Sequence, residues 1–461
     1  MSLILFITYW LTALLVAIMQ YKINRSMKNI VLENTLPDEA LKSPEIEKIL
    51  KDFLKKLLLS VVFFGLVLCA SFFIQYDSVN MFLFFLAMFG NLGLQFVINV
   101  KAIEEVHDLK IQKGWSIGTQ KVLVDIQALK VKNRKVFPIW WFAIPFGIFA
   151  GLVAYQVSSQ MSTQLILINS LSFLLLFVLS VWLYFLVKKM PVKPLTIDSQ
   201  TNMQMNDVQK SFWCKTVLSL LVFSLVFGFS ITFFSSGEGS ANLLAFALMM
   251  IFTIGFVAYT IALVFGYRKQ TTQLLTNAQK VFYENEDQYW KYGVYINPND
   301  SRLFVPSRMN MNLGVNLGKP AGKILAIVTA IALFIGLGVL LMFLGYNDFT
   351  PQPFRLNEIN SGQTVELHNF ISSRTIETSD IKSVELVPIS YLNKATRNVG
   401  SATNSYRTGS FSLNDRELYL LIFNNVDRAV KIQTANRDYF VNQRTLEQTQ
   451  ELYQKLVKLA E

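Results

Sequence analysis

The stretch ANLLAFALMMIFTIGFVAYTIALVFG, Ala241–Gly266, contains no Asp, Glu, Lys or Arg and runs straight into Tyr267, Arg268 and Lys269. A helix rising 1.5 Å per residue crosses roughly 30 Å of hydrocarbon over such a length, which is the signature of a transmembrane segment. Working outward, seven more stretches share this character: Leu3–Met19, Leu57–Ile74, Asn80–Val100, Phe137–Val157, Gln164–Val187, Thr216–Phe234 and Ile324–Gly345. The first lacks a basic n-region and a small-residue cleavage site and precedes Lys22, Arg25 and Lys28, so it reads as an uncleaved anchor. The expected fold is an α-helical polytopic membrane protein with about eight transmembrane helices. Composition agrees: 52% of the 461 residues are hydrophobic and only 16% charged, against about 25% in soluble domains. Disorder, a collagen-like fibre and a small disulfide scaffold are excluded.

Charge fixes the expected orientation. The connections around Gln75–Val79, Ser158–Ser162 and Ser235–Ser240 carry no Lys or Arg, whereas loops 22–56, 101–136, 188–215 and 268–323 hold 8, 8, 5 and 8. Basic loops stay in the cytoplasm, so the N-terminus and everything after the eighth helix are expected outside, in a multi-pass cell-membrane protein. The segment from Tyr346 to Glu461 has 13 basic and 13 acidic residues, so the net charge of +11 belongs to the membrane half. Nucleic acid therefore drops out as a partner; the lipid bilayer is the expected one. Cys69 and Cys214 lie in or beside helices, with no cysteine in the outer domain, and read as packing residues.

The expected organisation is a seven-helix membrane region (1–267), a basic loop (268–323) with a compact module at about 287–318, the eighth helix (324–345) and a soluble domain (346–461). None of the eight apolar stretches has a mid-membrane ionisable residue of the kind that ion-coupled carriers use. The most polar face is Asn91, Gln95 and Asn99, spaced by four in the third helix, which either bonds a neighbouring helix or lines a polar path. Pro145 is expected to kink the fourth helix, with Trp140 and Trp141 at its interfacial end. Three hairpins starting near residues 57, 137 and 216 hint at a repeat without a sequence match between them.

In LKSPEIEKILKDFLKKLL, Ser43 caps a helix with Pro44 at its first position, and Ile46, Ile49, Leu50, Phe53, Leu54 and Leu57 form its apolar face. That helix either lies on the membrane surface or continues into the second span. His107 among Glu104, Glu105 and Asp108 supplies a single nitrogen ligand and argues against a metal site. The loop DQYWKYGVYINPNDSRLFVPSRMNMNLGVNLG, residues 287–318, has an Asn-Pro turn, a short strand at RLFVP and glycine punctuation, and is expected to fold as a module. Arg302 is expected to pair with Asp300 or Asp287; a phosphate-binding role for Arg302 and Arg308 is the other reading.

This loop resembles the short module known as domain of unknown function 5808, found in multi-pass membrane proteins mainly of Gram-positive bacteria. The resemblance rests on Trp290, Gly293, Asn297, Pro298, Asp300, Arg302, Phe304, Val305, Pro306, Arg308 and Asn316. It implies kinship with the SdpI-related immunity group and no enzymatic activity.

Residues 353–461 alternate as strands in FRLNEI, TVELHNF, RTIETSDIKSVELV, ELYLLIF, AVKIQTA and RDYFVN, then close with a helix started by a Thr445–Gln448 capping box. Leu446, Leu452, Tyr453, Leu456 and Leu459 supply its apolar face. A β-rich barrel or bent sandwich plugged by one helix is expected. The order of Asp380–Leu386, a flexible basic loop at Asn393–Arg407, a turn at Thr408–Phe411, Tyr419–Phe423 and Leu446–Leu456 resembles bacterial pleckstrin-homology-like domains. Lys394, Arg397 and Arg407 in that loop either contact anionic envelope polymers or lipids or are simply solvated. His368 has no companion for catalysis. The expected function is non-enzymatic binding, sensing or immunity at the bacterial envelope, with a protein partner or envelope ligand for the outer domain; the alternative is a transporter or exporter using the third helix. No cofactor and no metal are expected.

Overall fold

The computed structural model describes residues 2–25, 27–118, 125–159, 163–236, 240–276, 278–308, 311–359, 363–369, 373–403, 405–413 and 416–460. The hairpin connections around Ser158–Ser162 and Ser235–Ser240 lie partly outside them. The helices are α1 Ser2–Asn24, α2 Pro44–Leu68, α3 Asp77–Gln112, the short α4 Ile126–Lys130, α5 Ala143–Ser158, α6 Thr163–Lys189, α7 Ser199–Ser236, α8 Ser240–Thr276, α9 Pro320–Phe349 and α10 Leu446–Ala460. Eight of the described helices, all but α4 and α10, are long and apolar enough to cross a membrane, α5 together with the 3-10 turn Ile139–Phe142 before it. The most apolar windows of α8 and α9 have no buried residue at all, so those surfaces fit hydrocarbon and not water.

Several helices outrun their apolar spans. α2 is continuous from Pro44, with the Ile46 N–H donating to Ser43 Oγ at 3.2 Å; the amphipathic segment continues into the second span. Its Ile46, Ile49, Leu50, Phe53 and Leu57 are buried. α3 extends to Gln112 and carries Ile103, His107 and Lys110 on one face. Pro145 follows closely on the 3-10 turn Ile139–Phe142. It sits in the first turn of α5, where its missing N–H has no helical partner to lose.

The strands are β1 Ile30–Val31, β2 Asn34–Thr35, β3 Phe304–Pro306, β4 Leu313–Val315, β5 Arg355–Ile359, β6 Thr364–His368, β7 Ser373–Glu377, β8 Ser383–Pro388, β9 Thr396–Ala402, β10 Tyr406–Leu413, β11 Arg416–Phe423, β12 Arg428–Gln433 and β13 Asp438–Val441. The described chain divides into two compact units. One holds Met1–Leu11, Phe63–Gly90 and Ile331–Glu461; the other holds Thr12–Val62 and Asn91–Ala330.

In the first unit, a β5-β6-β7 meander and a six-stranded sheet ordered β8-β12-β13-β11-β10-β9 share one core. Val365 and Ile376 of the small sheet, Leu421, Phe423 and Val430 of the large one, and Leu456 of α10 are all buried in it. Leu344 of α9 joins the same cluster. The opposite face of the large sheet is covered by Leu392, which explains why β11 reads as a continuous apolar run. Thr445 Oγ1 accepts from the Gln448 N–H at 3.2 Å, while Leu446 of the expected apolar face is exposed.

Two local expectations are corrected here. Asn393–Arg407 is not a flexible loop: most of it is β9 and the start of β10, and Arg407 donates to Asn424 Oδ1 and to the Leu392 carbonyl. Thr408–Phe411 is not a turn. It lies within β10, where Gly409 pairs with Gly400 and a register shift at Ser410/Phe411 swings Phe411 into the core. Gly and Ser at these positions suggest a turn, but a Cβ on Gly400 would sit 2.0 Å from the Thr408 carbonyl oxygen, so close strand approach is what requires glycine.

Candidate functional site

In the second unit the four basic loops, distant in sequence, interlock. The chain after α1 makes two tight reversals whose central residues Lys28, Asn29, Leu32 and Glu33 all have φ between 44° and 62°. Left-handed backbone at a bulky Leu or a Glu costs free energy and persists only where surrounding contacts enforce it. These do. The Asn34 amide donates to the Ile103 carbonyl of α3 at 3.0 Å, and Thr35 donates its N–H and hydroxyl to the two oxygens of Asp287, at 3.0 and 2.7 Å.

Asp287 is the centre. Its carboxylate meets Lys110 Nζ at 2.8 Å and Arg308 Nη1 at 2.8 Å, and all three side chains are at most 7% exposed. Arg308 also donates to the Glu33 carbonyl, to Thr35 Oγ1 at 2.7 Å and to the Tyr283 carbonyl at 3.3 Å. Lys110 reaches Glu284 at 2.7 Å, and Glu284 accepts from the backbone of Ile117 and Gly118 and from Ser116. Burial alone would push the Glu284 carboxyl up; the Lys110 hydrogen bond and the Gly118 amide outweigh it and hold it below the usual range. The loop before α7 joins through Lys193, which pairs with Glu286 at 2.5 Å and stands 4.0 Å over the Tyr283 ring. Burial lowers the Lys193 pKa, against the pull of Glu286. Beside this network opens a cavity of about 570 Å³, lined among others by Asn34, Ile103, His107, Lys110, Glu284 and Asp287. Its mixed apolar wall and paired charges suit a small amphipathic or polar ligand.

The module expected at 287–318 is built on the Asn297–Asn316 pair. Asn316 is fully buried; its Oδ1 accepts from the Asn297 and Gly318 N–H groups, and its Nδ2 donates to the carbonyls of Asn297, Asp300 and Arg302. Asn297 Oδ1 accepts from the Asn299 N–H across the Asn-Pro turn, and its amide donates to the Tyr295 hydroxyl. Trp290, Tyr295 and Val305 form the small core. Phe304, Val305 and Pro306 are β3, paired with β4. Pro298 abuts Gly318, where a Cβ would lie 2.6 Å from the Pro298 nitrogen. Gly293 has φ 69° and lies against Asn99. Of the two partners expected for Arg302, Asp300 is the one it takes, at 2.6 Å, which draws the Asp300 carboxyl down to about 2. Asp287 takes Arg308 instead.

The third-helix stripe is occupied by helix contacts. Asn91 Oδ1 accepts from Ser60 of α2 at 2.9 Å and from Gln95 at 3.3 Å; Asn99 Oδ1 accepts from Asn24 of α1 at 3.1 Å. Gln95 Oε1 is buried without a partner. His107 lines the cavity, and no group of three or more His, Cys, Asp or Glu able to hold a metal occurs among the described residues. Sequence reading missed Asn34, Thr35, Lys110, Glu284 and Glu286. The available signal was helical continuation of α3 past its apolar span, which puts Lys110 on the face of Ile103; nothing local marks Leu32–Glu33 as a turn.

No protein-family model, curated protein or solved structure matches this chain.

Proposed function

We propose that the chain is an integral membrane protein of a bacterial cell envelope that works by binding and not by catalysis, with the cavity beside Asp287 as its ligand site. The observation that carries this reading is the convergence of three sequence-distant basic loops on the buried Asp287 carboxylate, with the fourth joined through Lys193 and Glu286, which preorganises a polar-rimmed cavity. The same convergence supports placing those loops together on the cytoplasmic side, with the N-terminus and the β-rich domain outside. The interlocked module around Asn316 supports kinship with the 5808-type modules, and the α10-closed double sheet supports the pleckstrin-homology-like assignment. Sensing or immunity is the role such an arrangement fits: an outer domain and an inner site joined by helices. The third-helix stripe, bonded to α1 and α2, favours packing over a transport path.

Reporter fusions after Gly345 test the topology; a cytoplasmic signal there overturns it. Native mass spectrometry of the intact protein released from its own membrane tests the site. His107→Trp fills the cavity, so a small molecule retained by the unaltered protein should be lost from the variant; equal retention refutes the assignment.

A further inference from the structure

A second set of polar side chains is buried in the other unit, where α3 begins and α9 ends. Asp77, Ser78 and Asn80 occupy the first turn of α3, and Asn347 and Asp348 the last turn of α9. Relative exposure is 2% for Asp77, 3% for Asn80, 7% for Asp348 and 0% for both Asn347 and Tyr406. The Ser78 N–H donates to Asp348 Oδ2 at 2.6 Å and ties the two helix ends together. Asp77 and Asp348 are near enough to repel each other, and both act on the Tyr406 hydroxyl, which lies beside the Asn347 amide.

Neither carboxylate makes an ion pair among the described residues. Arg444 is close enough to act on Asp348. Its hydrogen bonds, however, go to the carbonyls of Asn347, Asp348 and Thr350, so that it caps the C-terminus of α9. Asp77 Oδ2 and Asn80 Oδ1 are buried without a hydrogen-bond partner, while the Ser78 hydroxyl turns to Asp348 and the Tyr406 hydroxyl to the Asn347 amide and Ser401. A buried polar atom left unpaired loses its hydration with nothing to replace it, and native proteins do not concentrate such a deficit unless water or an ion fills it. The available donors are two carboxylates, two amide carbonyls and hydroxyls. These are hard oxygen ligands, suited to calcium with its loose, oxygen-rich coordination, more than to zinc, which favours nitrogen and sulfur.

We propose that Asp77, Asn80, Asn347 and Asp348 form a buried binding site for a calcium-class divalent cation that clamps the start of α3 to the end of α9. Leu344 and Phe343 of α9 and Met81 of α3 pack in the core of the β-rich domain, so the clamp would also stiffen the seat of that domain.

The test uses the full-length protein in detergent or nanodiscs, stripped of divalent ions with a chelator. Equilibrium binding of radioactive calcium and thermal unfolding across added calcium should show saturable binding and a rising Tm, with magnesium a weaker competitor. Asp77→Asn and Asp348→Asn should each weaken calcium binding by at least roughly ten-fold, the scale on which even supporting groups of metal sites act. Glu447→Gln, on the exposed face of α10, should leave it unchanged. Absence of saturable binding together with a Tm indifferent to calcium and chelator overturns the proposal. So does calcium binding that survives both aspartate substitutions. Should those variants fail to fold, the binding and melting behaviour of the unaltered protein still decides.

Discussion

Asp287 and Arg308 face each other at 2.8 Å, both buried, while the nearer arginine Arg302 is held by Asp300. The division follows from geometry. Asp300 and Arg302 lie on one tight turn, where the Arg302 N–H also bonds the carboxylate, whereas β3 carries Arg308 back to Thr35 of β2 and to Tyr283 of the segment after α8. One arginine therefore shapes its own module, and the other fastens that module to the chain after α1.

Replacing Asp287 with Ala leaves Lys110 and Arg308 buried without their shared counter-ion. Breaking a buried pair in this way costs about 3–5 kcal/mol. Thermal unfolding of the purified protein should show a clear drop in Tm, and an unchanged melt would mean the network carries no stability.

Asn316→Asp should be worse than Asn316→Ala. The aspartate would turn an acceptor toward the carbonyls of Asn297, Asp300 and Arg302, where Nδ2 now donates, while alanine only leaves them unpaired at about 1–3 kcal/mol for each fully lost bond. Comparing the two melts checks the order. Equal melts would show that this amide does not staple the module.

Glu33 makes stability pH-dependent. Burial, opposed by Arg308 and reinforced by Asp287, lifts its carboxyl from 4.5 to about 7. Between those values the folded chain holds a proton that the unfolded chain has released, so stability falls as pH rises through the window. Glu33→Gln should flatten that part of the Tm–pH profile relative to the unaltered protein. Profiles that remain parallel would refute the assignment.

Asn91→Ala removes the acceptor for Ser60 and Gln95. Hydrogen bonds between membrane helices contribute about 0.6 kcal/mol on average, so the expected outcome is a small loss of Tm with the cellular phenotype retained. Loss of a solute flux with an unaltered melt would revive the transport reading.

Local pattern carried the helices, because hydrocarbon-length apolar runs and charge-free spans are properties of contiguous residues. The same holds for most strands of the β-rich domain, although the glycines of β9 and β10 mimicked a loop and a turn, since glycine serves close strand approach as readily as chain reversal. It also holds for the Ser43 cap. The site was less legible. Arg308 and Asp287 stood within one recognisable segment, but Lys110, Thr35 and Glu284 lie far apart in the chain and signal nothing alone.

By itself, then, the sequence determined eight membrane-length helices, the clustering of positive charge in alternate loops and a β-rich segment closed by a helix, because burial in an apolar phase imposes composition residue by residue. Only the tertiary structure decided which charges meet. Asp77 and Asp348 meet because α3 and α9 run past their apolar spans, Lys110 reaches Asp287 because α3 also overruns at its other end, and Arg308 reaches it through the folded loop after α8; pairing between distant residues leaves no periodic trace along the chain.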